Sequence, residues 1–151
     1  MLRDQITDRL KHAMRAKDAA TVSAVRMVLA ALKDRDIASR GGEHAGTIPD
    51  PEILRLLQGM VKQRRESIEM YRQGNRPELV EKEEGEIAVI ESFLPKQMGD
   101  SEIAAAVNAA IADTAAGGIK DMGKVMAVLR ERHAGVLDMA RAGAVVKRQL
   151  G

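Results

Sequence analysis

The run Gly118-Ile119-Lys120-Asp121-Met122-Gly123-Lys124-Val125 has the glycine and lysine spacing of a phosphate-cradling loop up to its penultimate position. In such a loop backbone amides and the lysine hold phosphates, and a Ser or Thr directly after the lysine binds Mg²⁺. Val125 stands in that last place and no buried strand precedes the run, so nucleotide hydrolysis is not expected. The same residues read better as a helix start. Gly117 and Gly118 end one helix, Asp121 caps the next, and Gly123 permits close packing in its first turn. Asp121, Met122 and Gly123 then offer amide hydrogens and a positive dipole end to a phosphate of a larger ligand, beside Lys120 and Lys124.

Other chemistry is thinly supplied. His12, His44 and His133 lie on different segments without the i, i+4 spacing of a zinc helix, and the chain has no Cys. Ser23, Ser39, Ser67, Ser92 and Ser101 lack the context of an activated nucleophile. The acidic run Glu81, Glu83, Glu84, Glu86 reads as a charged outer surface rather than a cation site. No catalytic residue, metal or cofactor is therefore expected.

Two groups of cations remain. Lys62, Arg65, Arg72 and Arg76 fall within an arc of about 80° on one helix, but Glu69 and Glu66 share or border that arc, which favours a solvated face. Arg130, Arg132, Arg141, Lys147 and Arg148 have only Glu131 and Asp138 as acidic neighbours from residue 125 onward, and make the better polyanion footprint. With Tyr71 and Phe93 as the only aromatics there is no platform for stacking single-stranded bases, so a nucleic acid would be held by backbone and shape, as a folded RNA is. DNA sequence readout is not expected.

The 151 residues carry 24 Lys and Arg against 22 Asp and Glu, and the surplus lies wholly in the second part: residues 1–92 carry 16 of each sign, residues 93–151 carry 8 and 6. With 45% apolar residues the chain can fill a core. The N-terminus is charged at once, and no stretch approaches the roughly 20 apolar residues of a membrane helix, so a cytoplasmic protein without membrane contact is expected.

Apolar residues recur at helical spacing almost throughout, which predicts an all-α protein. Leu2, Ile6, Leu10 and Met14 mark a first helix. Asp18 caps a second with Val22, Val25, Leu29 and Leu32. The glycine-rich stretch 40–49 reads as a flexible loop, after which Asp50-Pro51 opens a third helix that stops at Gly74. Asn75 or Arg76 before Pro77 opens a fourth. Leu94-Pro95 and Gly99 form a joint, residues 94–99, between an N-terminal bundle of about four helices (1–93) and a small C-terminal three-helix subdomain (100–151). There, helices start at Asp100 or Ser101, about Asp121 and about Asp138, and glycines 117, 118 and 135 end the first two.

The chain resembles the GatB/YqeY family of small helical proteins, related to the tail region of the GatB component of the tRNA-dependent amidotransferase. The likeness runs from Lys11-His12-Ala13-Met14-Arg15-Ala16-Lys17-Asp18 through Val25-Arg26-Met27, Ala30-Ala31-Leu32-Lys33 and Val61-Lys62-Gln63-Arg64-Arg65-Glu66-Ser67-Ile68. Ile90-Glu91-Ser92-Phe93-Leu94-Pro95-Lys96-Gln97-Met98 and Lys120-Asp121-Met122-Gly123-Lys124-Val125-Met126 are more diagnostic. The resemblance implies two helical subdomains and a link to tRNA, with the chemistry of the amidotransferase carried by parts absent here. It marks Lys120 and Lys124 as candidate RNA contacts. The chain departs from the family pattern at Val136, Leu137, Met139 and Ala140, where a more basic segment is usual, and these apolar residues suggest a protein-facing surface. The expected function is a non-catalytic accessory module that contacts tRNA or a tRNA-handling enzyme. A protein adaptor without RNA contact is the alternative, and a carbon–nitrogen ligase using glutamine comes last.

Overall fold

The computed structural model describes residues 1–41 and 46–151; Gly42 and His44 of the expected loop lie outside the described residues. Among the described residues the protein is all-helical. It comprises α1 (Leu2–Arg15), α2 (Ala19–Ala38), α3 (Asp50–Gln73), α4 (Pro77–Glu91), α5 (Asp100–Thr114), a 3-10 turn (Ile119–Asp121), α6 (Met122–Arg132) and α7 (Met139–Leu150). It forms two compact units, Met1–Leu94 and Pro95–Gly151.

In the first unit α2 packs against both α1 and α4, and α3 lies chiefly against α4. Ile6, Val25, Val28, Leu32, Ile53, Leu57 and Ile90 are almost fully buried between them. Met14 belongs to the apolar stripe in sequence but is 51% exposed, and Ala13 takes the buried place. The reason is geometric: each step of four residues turns about 40° past a full rotation, so three steps carry Met14 about 120° away from Leu2.

Local signals act as expected at Asp18, whose carboxylate accepts from the Thr21 amide at 3.1 Å and from its hydroxyl at 2.6 Å. Pro77 occupies the first turn of α4 behind the N-cap Arg76. Elsewhere the helix ends shift. The N-cap of α3 is Pro49, not Asp50, and Asp50 instead accepts from the Leu2 amide at 3.3 Å. Past α3 the left-handed residue is Asn75 (φ 53°), while Gly74 keeps a φ of −82°. Asn tolerates that region because its short amide side chain can bond locally.

Asp36 ties three segments. Arg3 Nη1 and Nη2 donate to its two oxygens at 2.7 and 2.9 Å, and the Ile48 amide donates to Oδ1 at 3.0 Å, which seats Ile48 in the core at 2% exposure. The Arg3 hydrogen bonds, aided by the Ile48 amide, hold the Asp36 carboxyl below its usual range against the cost of its burial. A pKa lowered by folding contributes stability above the unfolded carboxylate value and loses it as pH falls through the folded one. Asp36→Asn is therefore expected to cost about 1 to 2 kcal/mol near neutral pH. The gap to wild type should close in acid; urea unfolding that shows an equal gap at both ends would exclude this role.

The second unit has a smaller core of Ile103, Val107, Ala110, Val125, Leu129, Leu137, Ala142 and Val146 shared by α5, α6 and α7. Its entry strap is pinned: Gln97 donates to the carbonyls of Pro95 and Gly135 at 2.8 Å each, and the Met98 amide donates to Val136 O at 2.9 Å. The N-cap of α5 is Gly99 rather than Asp100 or Ser101. The helix ends at a left-handed Ala115 (φ 52°), ahead of the Gly117-Gly118 pair expected to stop it.

Candidate nucleic-acid interface

The second unit carries the cations singled out in the sequence. Val125 and Leu129 fix α6, and Ala142 and Val146 fix α7, each fully buried. Lys120 on the 3-10 turn, Lys124, Arg130 and Arg132 on α6, and Arg141, Lys147 and Arg148 on α7 are the seven cations, and all seven are exposed. On α7 the seven-residue step from Arg141 to Arg148 leaves them only about 20° apart around the axis. Lys147 flanks the same outer face, and the exposed residues between include Ala144. This helix holds no acid: Asp138 lies at its N-cap, where it accepts from the amides of Ala140 and Arg141 at 3.0 and 3.2 Å.

Two of the seven cations are already paired. Arg132 Nη1 lies 2.7 Å from Asp113 Oδ2, and Arg141 Nη2 pairs with Asp100 Oδ1. Both acids sit on α5, beyond the reach of a count along the sequence from residue 125. Among the described residues Lys120, Lys124, Arg130, Lys147 and Arg148 have no ion-pair partner.

The helix start differs from the expected anion cradle. The Asp121 amide donates to Gly118 O at 2.9 Å and the Met122 amide to Ile119 O, closing the 3-10 turn, so two of the three amides assigned to a phosphate are occupied. Asp121 does not cap α6 through its side chain; its Oδ2 accepts from the Gly117 amide at 2.9 Å. Its carboxylate thus holds the positive end of the helix, where an anion would otherwise gain most. Met122 packs partly against the core and Gly123 is exposed. The local cations, rather than free amides, are what this end presents to a polyanion.

The apolar departure at 136–140 is not a docking face. Leu137 is 1% exposed and Met139 packs against the same core, so these residues close the small unit. In the first unit three of the four cations of the strip are paired: Arg65 meets Glu91 at 3.1 Å, Arg72 meets Glu84 at 3.4 Å and Arg76 meets Glu78 at 2.6 Å. Arg64, which no motif in the sequence singles out, is 8% exposed; it donates through Nε to Glu86 at 3.1 Å and through Nη1 to Met60 O at 3.1 Å, with Nη2 against Met27 Sδ. Among the described residues no three His, Asp or Glu side chains are grouped to hold a metal ion.

These features define a small all-helical protein whose second unit presents exposed cations on two short helices and the turn before them. The model of the YqeY-like family matches residues 3–150, and the chain belongs to that family. It is 34% identical over 85 residues to altered inheritance of mitochondria protein 41, mitochondrial, of Lachancea thermotolerans, covering 56% of this chain and 43% of the relative. The Saccharomyces cerevisiae protein of the same name is 31% identical over 94 residues, 62% of this chain and 49% of the relative. A Schizosaccharomyces pombe protein is 31% identical over 96 residues, 64% of this chain and 71% of the relative. The chain thus spans about half the length of the first two curated relatives.

The cytoplasmic location expected from the charged N-terminus is overturned by these relatives, two of which are named as mitochondrial proteins. A charged first helix does not tell compartments apart, since mitochondrial transit peptides are themselves basic and amphipathic. Among the described residues no helix is long and apolar enough to cross a membrane.

Proposed function

We propose that this chain is a non-catalytic accessory module that associates with tRNA through residues 95–151. The observation that carries the reading is the set Lys120, Lys124, Arg130, Lys147 and Arg148, without ion-pair partners among the described residues, with cations and alanines exposed on an α7 that holds no acid of its own. Small residues between cations let a phosphate backbone approach closely, and the lack of exposed aromatics in this unit favours a folded RNA over a single strand. The family's likeness to the tail of the amidotransferase's GatB component supports tRNA as that RNA. The adaptor reading loses its main support with the burial of Leu137.

Replacing Lys120 and Lys124 by Ala is expected to weaken tRNA binding uniformly across tRNA species and to lower the slope of log affinity against log salt by about 1 to 2 units. Adding Lys147→Ala and Arg148→Ala should lower it by about as much again. Filter binding or fluorescence anisotropy over a salt series reads both. Affinity that ignores all four changes, or ignores salt, would remove the proposal.

A further inference from the structure

We propose that the corner between α1 and α2 is a docking groove for an acidic protein segment that carries an apolar anchor. The groove measures about 480 Å³, is open to solvent, and is lined by Met14, Lys17, Ala19, Val22, Ser23 and Arg26. Its floor is apolar. Met14, at 51% exposure, is a large flexible side chain that the first unit does not use to close its core, since Ala13 is buried in its place. Methionine's three rotatable bonds suit a surface that must fit itself to an incoming side chain.

The rim is cationic. Residues 11–26 contain Lys11, Arg15, Lys17 and Arg26 against the single acid Asp18, inside a unit whose charges balance as a whole. Elsewhere in that unit Arg3, Arg64, Arg65, Arg72 and Arg76 are spent on acids. The two cations that line the groove, Lys17 and Arg26, have no ion-pair partner among the described residues, and neither do Lys11 and Arg15 nearby in the sequence. Asp18, whose two oxygens accept from Thr21, offsets one of these four charges and leaves an excess of cations. The carbonyl end of α1 supplies only about half a unit of opposing charge. The C-terminal turn is fixed by a left-handed Lys17 (φ 56°), with the Asp18 amide bonded to Ala13 O at 3.0 Å, so the rim is held in place by backbone.

Charge complementarity selects the occupant. A cationic rim asks for carboxylates or phosphates, and the apolar floor asks for an aliphatic or aromatic side chain between them. An acidic amphipathic helix supplies both, with anchors at i, i+3 or i+4 spacing. An RNA backbone would satisfy the rim and leave the floor empty, and no aromatic lines the groove to take a base. This surface is built from other residues than the proposed RNA face, so the two readings stand or fall separately.

The probe is a fluorescent helical peptide of about four turns with Leu at i, i+4 and i+7 and Glu at its other positions, the geometry of a helix-in-groove ligand. It is compared with a poly-Glu peptide of equal length and with the same peptide carrying Lys for Glu. The full chain should bind the acidic amphipathic peptide at one site and shift the ε-methyl signal of Met14. Lys17→Glu with Arg26→Glu should weaken binding about tenfold or more, and Met14→Ala about fivefold. All three residues are exposed, so an unchanged helical circular dichroism spectrum will accompany the loss. Lys120→Ala with Lys124→Ala should leave peptide binding untouched. Poly-Glu binding as tightly, an unmoved Met14 signal, indifference to the corner substitutions, or displacement of the peptide from Met14 by a short RNA duplex would each overturn the proposal.

Discussion

Arg64→Ala is expected to destabilise the first unit by about 3 to 5 kcal/mol, the cost of removing one partner from a buried ion pair. The Arg64 and Glu86 side chains are only 10% and 13% exposed, so neither charge has water to fall back on. Truncation would leave Glu86 beside Glu83, whose carboxyl is already pushed up, first by burial and then by Glu86, with Arg64 the main group pulling it back. Without Arg64 the upward push on Glu83 loses its main opponent. A pKa raised by folding favours the native state below the unfolded value and costs stability as pH rises through the folded one, so the mutant's deficit should be largest near neutrality and shrink in acid. Arg64→Met with Glu86→Leu removes both charges while keeping volume, and should recover most of the loss. Urea unfolding followed by helical circular dichroism measures all three proteins. A single-mutant cost below about 1 kcal/mol, the range of exposed pairs, would show that the pair is not desolvated.

Arg64 also shows where a signal in the sequence goes unread. It sits at helical spacing within the stripe Leu57, Met60, Val61, Arg64, Ile68, and Glu83 and Glu86 occupy the matching places before Ile87 and Ile90. A cation and an acid on facing apolar stripes announce a buried pair, but only once it is known that α3 packs on α4, a non-local fact. Helix number and type were legible because periodicity is local and repeated. So were Asp18 as a cap and the start of the last helix at about Asp138, where one side chain bonds amides two or three residues on. Termination was less legible: Ala115 and Asn75 take left-handed conformations that nearby glycines were expected to supply. The cations of the candidate interface were legible as types and positions. Their partners were not, since Asp100 and Asp113 reach Arg141 and Arg132 across helices. Leu137 was misplaced for a related reason: an apolar residue in a short connection looks exposed until its helices close over it.

The C-terminal unit should respond most sharply to Leu129→Ala. Leu129 is fully buried, and of the eight residues in that core only Ile103, Leu129 and Leu137 are larger than valine. Truncating a buried Leu costs about 2 to 5 kcal/mol, more where the surroundings collapse poorly. At about 0.05 to 0.15 kcal/mol per residue, the unit spanning Pro95–Gly151 holds only about 3 to 8 kcal/mol in all. One truncation therefore takes much or all of its stability. Hydrogen exchange should show amide protection lost across α5, α6 and α7 and kept in α3, whose buried residues Leu57, Met60 and Val61 belong to the other core. If tRNA is held by cations that these helices position, its affinity should fall in the same variant although no charge has changed. Leu129→Met, close in volume, should retain both protection and binding. Full protection of α6 in Leu129→Ala would mean that the small core is not what fixes Lys124 and Arg130 in place.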